Sequence, residues 1–312
     1  MFIAKDTRKL PDILADEKDD RVSVVLSRRT AELSGDVRRL TAPRAVARLA
    51  KMESLAMYDS GLTDLSGIGK LGGDATALRT LTLGRNNLAG LPADFAMLSL
   101  LETLWLDDNK LEAFPPAVLE LPALRVLRLS GNAQLGAVPD DVWRLAALEE
   151  LAVDACGLEA LPETLGKLAR LRILVARQNA LEALPASVSA LVELRQLQVN
   201  SNRLAALPDL SACVHLESLS VGSNKLATLP ECLAALPSLT SVRAAHNCLE
   251  ALPEALVKKF GRPDAATGRL KLDGADAYNK EQAASLPEVN VKGNDLLFVV
   301  ETATADAPMA VE

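Results

Sequence analysis

Aromatic residues are scarce in this chain: phenylalanine, tryptophan and tyrosine make up 3% of 312 residues, with two tryptophans and two tyrosines. The core must therefore be aliphatic, and a hydrophobic content of 49% is ample for one, which excludes global disorder. Histidine is nearly absent as well. His215 and His246 are the only two, and two ligands without a second cluster make a poor metal site. The four cysteines, Cys156, Cys213, Cys232 and Cys248, have neither paired spacing nor a terminal cluster, which favours a reducing compartment. Basic charge is not in surplus. The formal net charge of −7 argues against DNA or RNA as the main partner, because phosphate binding wants a basic face. No apolar run approaches the roughly 20 residues that span a bilayer, which excludes membrane insertion. The first ten residues carry Lys5, Asp6, Arg8 and Lys9 where a secretory leader has its apolar stretch. A cytoplasmic protein is expected.

What is present is repetition. Residues 101–115 follow the pattern L-x-x-L-x-L-x-x-N-x-L-x-x-Φ-P, with Φ apolar, and the pattern restarts along the chain. Copies begin at Met52, Leu78, Leu101, Leu124, Leu148, Leu171, Leu194, Leu216 and Leu239, a beat of about 23 residues with small slips. The asparagine position holds Asn86, Asn109, Asn132, Asn179, Asn202, Asn224 and Asn247, with Ser60 and Cys156 replacing it in two copies. The central L-x-L reads as a short strand that sends Leu104 and Leu106 inward and Thr103, Trp105 and Asp107 outward. Parallel strands need a crossover, and the L-P-x-x-L half of each copy supplies it, with proline marking the bend. The recurrent asparagine is expected to be buried where the strand turns, pairing with otherwise orphaned backbone groups.

The L-x-x-L-x-L-x-x-N-x-L core followed by L-P-x-x-L (Leu91-Pro92, Leu161-Pro162, Leu184-Pro185, Leu229-Pro230, Leu252-Pro253) resembles the leucine-rich repeat proteins across roughly residues 52–260. It is most similar to the cytosolic short-repeat kind, including Ras-pathway scaffold proteins. The resemblance implies an α/β right-handed solenoid, with a parallel sheet on the concave face and short helices or turns on the convex face. The expected organisation is an N-terminal helical cap (1–51), about nine repeat coils (52–260), C-terminal capping repeats (261–300) and a flexible tail (301–312). Within the first cap, residues 12–29 read as a helix with Ile13, Leu14, Val22, Val25 and Leu26 on its apolar face, and residues 31–35 as a degenerate strand. Residues 269–272 resemble a further strand, and residues 289–296 a closing one. Three slips are expected to show. Glycines at 67–73 suggest a protruding loop, one residue is extra around Ala133 and Gln134, and the copy containing Pro208 is one short, which should tighten its convex side.

Sequences that might carry chemistry have structural explanations. Gly67-Ile68-Gly69-Lys70-Leu71-Gly72 matches G-x-G-x-x-G but lacks the strand–turn–helix context of a dinucleotide site, and Leu71 stands where a P-loop needs Ser or Thr. His246 and Cys248 fall at neighbouring strand-end positions. Cys156 fills an asparagine slot as a small group tolerant of burial. Glu150 and Asp154 are outward positions on a solvated, mixed-charge face, and Trp143 is expected to pack on the convex side. No catalytic site, metal or cofactor follows.

The surface that the register predicts is the concave face, whose first half carries Tyr58, Arg85, Trp105, Asp107, Asp108, Arg128, Asp154 and Arg177. Trp, Tyr and Arg are enriched at interface hot spots. The expected function is a non-enzymatic scaffold or adaptor that captures a partner protein on this face. The alternatives are a regulatory subunit of a phosphatase or small-GTPase signalling complex, and a structural subunit of a large assembly.

Overall fold

Alternate burial along L-x-L makes a minimal strand, and in the computed structural model each coil builds a strand of three residues. The structure describes residues 8–15, 22–49, 51–72 and 77–260, with the backbone of 262–263, 270–271 and 288–290. The strands are β1 (Ser23–Val25), β2 (Ser54–Ala56), β3 (Thr80–Thr82), β4 (Thr103–Trp105), β5 (Val126–Arg128), β6 (Glu150–Ala152), β7 (Ile173–Val175), β8 (Gln196–Gln198), β9 (Ser218–Ser220) and β10 (Ser241–Arg243). They are followed by a short antiparallel pair, β11 (Arg262–Pro263) and β12 (Leu270–Lys271), and by β13 (Glu288–Asn290). β1 to β10 and β13 form one parallel sheet in chain order. Its register stacks like on like: Leu104 lies between Leu81 and Leu127, and Trp105 between Thr82 and Arg128.

The inward leucines form one continuous aliphatic core that runs the length of the array; Leu81, Leu104, Leu127, Leu151, Leu174, Leu197 and Leu219 are fully buried. Behind the sheet, Pro92, Pro115, Pro139, Pro162, Pro185 and Pro230 hold extended backbone and each opens a five-residue 3₁₀ turn. Proline suits that place because its missing N–H would have no partner there. Three coils close differently: the one that begins at Leu239 runs from Pro253 into an α-helix, Glu254–Phe260, and two others use a local turn. After Leu62 and after Pro208 the same tripeptide, Asp-Leu-Ser, makes the bend: Asp64 accepts from the Ser66 N–H (2.8 Å) and Asp209 from the Ser211 N–H (2.9 Å). The serine hydrogen bonds hold both carboxyls below their ordinary range. The coil containing Pro208, one residue short, thus has local turns at 209–213 in place of a 3₁₀ helix.

Three local expectations are corrected. Residues 22–26 are not helical: they make β1, and residues 30–33, expected as a strand, form the helix α2 (Thr30–Leu33) that follows helix α1 (Leu10–Ala15) and precedes α3 (Pro43–Leu49). From Ser23 to Leu26 the run alternates, with Val24 and Leu26 buried and Ser23 and Val25 half-exposed, and its backbone satisfies β2, as in the Leu26 N–H to Ala56 O bond of 2.7 Å. Val and Ser here obey a period of two, which outweighed the apolar spacing read as a helix. Residues 67–72 do not protrude. Ile68–Leu71 is a 3₁₀ turn, and Gly69 and Gly72 press so closely on the backbone at Asp94 and Met97 that a Cβ at either would collide with a carbonyl oxygen. The glycine spacing is therefore a packing device. Finally, Trp143 is 44% exposed rather than packed inward, with the Lys167 ammonium 5.4 Å above its ring.

Candidate functional site

The sheet ends each strand in the same way, and this fixes what its outer face displays. One residue per coil enters the left-handed region just before the asparagine slot: Asp59, Arg85, Asp108, Ala155, Gln178, Ser201, Ser223 and His246 all have φ between 49° and 58°. The asparagine then turns inward. Asn109 donates from Nδ2 to Leu83 O (3.0 Å) and Leu106 O (2.9 Å), and its Oδ1 accepts the Leu88 N–H (3.1 Å). Each such side chain ties two coils together and frees the chain to turn without orphaned groups. Ser60 and Cys156 keep the donor half of this role. Ser60 Oγ donates to Leu26 O, and the Cys156 thiol to Leu129 O at 3.2 Å and Asp154 O at 3.3 Å. Burial pushes the Cys156 pKa up to about 12, so the thiol stays protonated and is structural.

On this frame the outward side chains form three groups. In the first, the Tyr58 ring lies over Gly84, which has no Cβ to fill the space, and the Arg85 guanidinium stands 5.7 Å from its centre. Arg85 also pairs with Asp108 at 3.4 Å. In the second, Arg128 lies 4.9 Å over the Trp105 ring while it binds Glu150 at 2.7 Å. Trp105 remains 37% exposed, so one face of the indole is pinned by the cation and the side chain is still presented outward. The third group surrounds a shallow depression of about 390 Å³ lined by Asp107, Arg128, Asp154 and Arg177, with Ala152 and Val175 as its apolar floor. Asp107 is half-buried and accepts the Ser130 N–H (3.0 Å); burial raises its pKa above the ordinary carboxylate value. Asp154 is only 9% exposed and receives Arg177 twice, from Nη2 (2.8 Å) and from the backbone N–H (2.6 Å). The solvated position expected for Asp154 is thus corrected: it is a buried, fully engaged carboxylate.

All eight residues read from the sequence fall on one face, but their charges are mostly spent on each other. Sequence reasoning missed Glu150 as the anchor of Arg128, and it missed an ion-pair ladder along the flank at the second position of the pattern. There Arg79 pairs with Glu102, Arg125 with Glu149 (2.7 Å), Arg172 with Glu149 (3.1 Å) and Arg195 with Glu217 (2.7 Å). The alternation of sign at that position was a readable signal. His246 and Cys248 are exposed, and among the described residues no group of three or more His, Cys, Asp or Glu is placed to hold a metal. Nor is any described helix long and apolar enough to cross a membrane.

Comparison with known proteins agrees with this architecture. The family described as "Leucine-rich repeat region" matches residues 45–244. Human vasorin is 36% identical over 122 residues, 38% of this chain and 17% of vasorin. The Caenorhabditis elegans leucine-rich repeat serine/threonine-protein kinase 1 is 35% identical over 86 residues, 26% of this chain and 4% of the kinase. The chain therefore spans less than a fifth of the length of these curated relatives. Among solved structures, a Leptospira interrogans leucine-rich repeat protein aligns with a TM-score of 0.64 at 23% identity, over 94% of this chain and 83% of that one. A plant peptide hormone receptor, RGFR1, in complex with RGF2, aligns with a TM-score of 0.59 at 28% identity, over 70% of this chain and 36% of the receptor. Regions of this kind are in general protein–protein interaction modules and typically not catalytic.

Proposed function

We propose, for a chain that belongs to the leucine-rich repeat family, the role of a non-enzymatic scaffold or adaptor that binds a partner protein on its concave sheet face. The observation that carries this reading is the Trp105–Arg128 pair: an exposed indole on a core-poor-in-aromatics molecule, held rigid by a cation and bordered by an apolar-floored depression. Rigid aromatic and arginine anchors bind at little ordering cost. The relative solved in complex with RGF2 supports the same use of the fold. The partner-contact residues in this reading are Tyr58, Arg85, Trp105, Asp107, Asp108, Arg128, Asp154 and Arg177, of which Asp154 acts by positioning Arg177. The segment 1–51 serves as a cap on the repeat array; the capping repeats expected at 261–300 lie largely, and the tail expected at 301–312 wholly, outside the described residues. Four free cysteines, two of them buried, support a cytoplasmic location in this reading.

Trp105→Ala and Arg128→Glu are the test. Each should lose the partner identified by proximity labelling in cells, while circular dichroism stays that of the parent; Arg128→Glu also sets a like charge against Glu150. Retention of that partner by both variants overturns the assignment of the face. A regulatory role beside a phosphatase or small GTPase is the second reading, favoured by the repeat resemblance to Ras-pathway scaffolds. It predicts that the labelled partner is such an enzyme and that its turnover changes on binding.

A further inference from the structure

The turn that carries the chain from the convex side into each strand forms one flank of the array. In two successive coils it presents the same three outward places. Before β8 they hold Val192, Glu193 and Arg195; before β9, in the same register, they hold Val214, His215 and Glu217. The two turns are built alike: the Val192 N–H meets Ala190 O at 3.0 Å, and the Val214 N–H meets Ala212 O at 2.9 Å. Val192 is 45% and Val214 42% exposed, large apolar side chains that the core does not use. Arg195 spends one donor, Nη1, on Glu217 Oε1 at 2.7 Å, which leaves further guanidinium N–H groups and Glu217 Oε2 for another partner. Glu149 differs, since Arg125 and Arg172 take one of its oxygens each.

These six side chains are complementary to themselves, and we propose that this flank binds a second copy of the chain in a twofold dimer. The axis passes between the two coils, along the direction from sheet to convex side, and sets the second copy against the flank with its coils in reverse order. Val192 then faces Val214, Glu193 faces His215 and Arg195 faces Glu217, and each pair forms twice, as a twofold interface requires. Apolar meets apolar, acid meets imidazole, and the Arg195–Glu217 pair becomes a square of alternating charge. One coil further out, Ala169 meets Pro237, Arg170 meets Ser238 and Arg172 meets Thr240, so no like charges are opposed. The register is selective. An axis one coil earlier would oppose Arg172 and Arg195. An axis between the coils that begin at Leu101 and Leu124 also sets opposite charges together, Glu102 against Arg125, but brings Ser99 and Pro122 into the place of the valines. The dimer keeps both sheet faces open on the same side, so a partner with two copies of its own site gains from binding both. The dimer itself does not depend on how the sheet face is used.

Sedimentation equilibrium of the full-length chain tests the proposal. The parent should be a dimer at about 10 μM. Arg195→Glu and Glu217→Arg each oppose like charges twice across the axis. Each variant should keep the circular dichroism of the parent, sediment as a monomer and dissociate at least about a hundredfold more readily. Mixed in equal amounts, the two variants restore opposite charges at both places and should form a heterodimer, although neither pairs with itself. Val192→Asp should be monomeric as well, whereas Leu100→Asp, at the competing axis, and Trp105→Ala, on the sheet face, should leave the dimer intact. A parent that stays monomeric at about 100 μM overturns the proposal and leaves the flank to another occupant or to none. A dimer that survives Val192→Asp, one that is lost on Leu100→Asp, or a mixture of the two folded charge variants that stays monomeric overturns it equally. Whether Trp105→Ala loses the cellular partner decides the reading of the sheet face separately.

Discussion

At the scale of single residues, the asparagine slot explains most of what each coil owes to polar groups. Removing Asn109 would take a partner from three backbone groups in two coils and orphan the Leu88 N–H, since Leu83 O and Leu106 O keep Asn86 and Asn132; a buried unsatisfied group costs about 1–3 kcal/mol. Cys156 shows the slot working with less. Its thiol has two carbonyl neighbours, and the extra residue one coil earlier lets the Gly136 N–H reach the Cys156 carbonyl at 3.0 Å. Burial raises this pKa from 9.0 to about 12, and the sign of the consequence is definite. A raised folded-state value means that folding favours the protonated thiol. The contribution is complete below about pH 9 and disappears as pH rises towards 12. Urea melts of the parent and of Cys156→Ala should show the variant less stable at pH 8 and the gap closing between pH 9 and 12. A gap that widens with pH would contradict the burial of this thiol.

At the scale of elements, the strands were legible from the sequence because one leucine spacing repeats in every coil. The convex turns were partly so. Proline announced seven of them, Pro253 before an α-helix among them, whereas Asp-Leu-Ser, which closes the other two, signals a bend only through a local serine–aspartate hydrogen bond. β1 was hidden because its slots are filled by Arg28 and Arg29 in place of the usual residues. Arg28 takes the left-handed position (φ 60°), and buried Arg29 binds Glu32 at 2.9 Å. The run at 67–72 was misjudged because glycine signals both loops and close backbone contact, and only packing decides between them. Gly69→Ala tests the contact. Its Cβ would meet the Asp94 carbonyl, so the turns must separate, with a loss of about 1–3 kcal/mol measurable as a lowered denaturation midpoint. A neutral result would mean that the two turns are not in contact.

At the scale of the whole molecule, the face was legible in outline and its wiring was not. Sequence register put eight residues on one side, but whether Arg177 reaches into solvent or down to Asp154 depends on side-chain geometry between coils. The same holds for Arg128, split between Trp105 and Glu150. Stability belongs to the continuous aliphatic core, since the flank ladder is made of half-exposed pairs worth about 0–1 kcal/mol each. Raising sodium chloride to about 1 M shortens the screening length to about 3 Å. The melting temperature should then fall by no more than about 4 °C, as calorimetry would show. A collapse in salt would mean that the ladder, rather than the leucines, holds the coils together.

That ladder also sets a rule for how the array can grow. Along the flank the sign alternates through Arg79, Glu102, Arg125, Glu149 and Arg172, so each charge faces its opposite one coil away. Copying a single coil would set two like charges side by side, whereas copying two in tandem would preserve every pairing. The array therefore has an electrostatic unit of two coils, larger than its structural unit of one. The one like-charged step among these pairs, from Arg172 to Arg195, is where that parity breaks, with Arg195 turned to Glu217 instead.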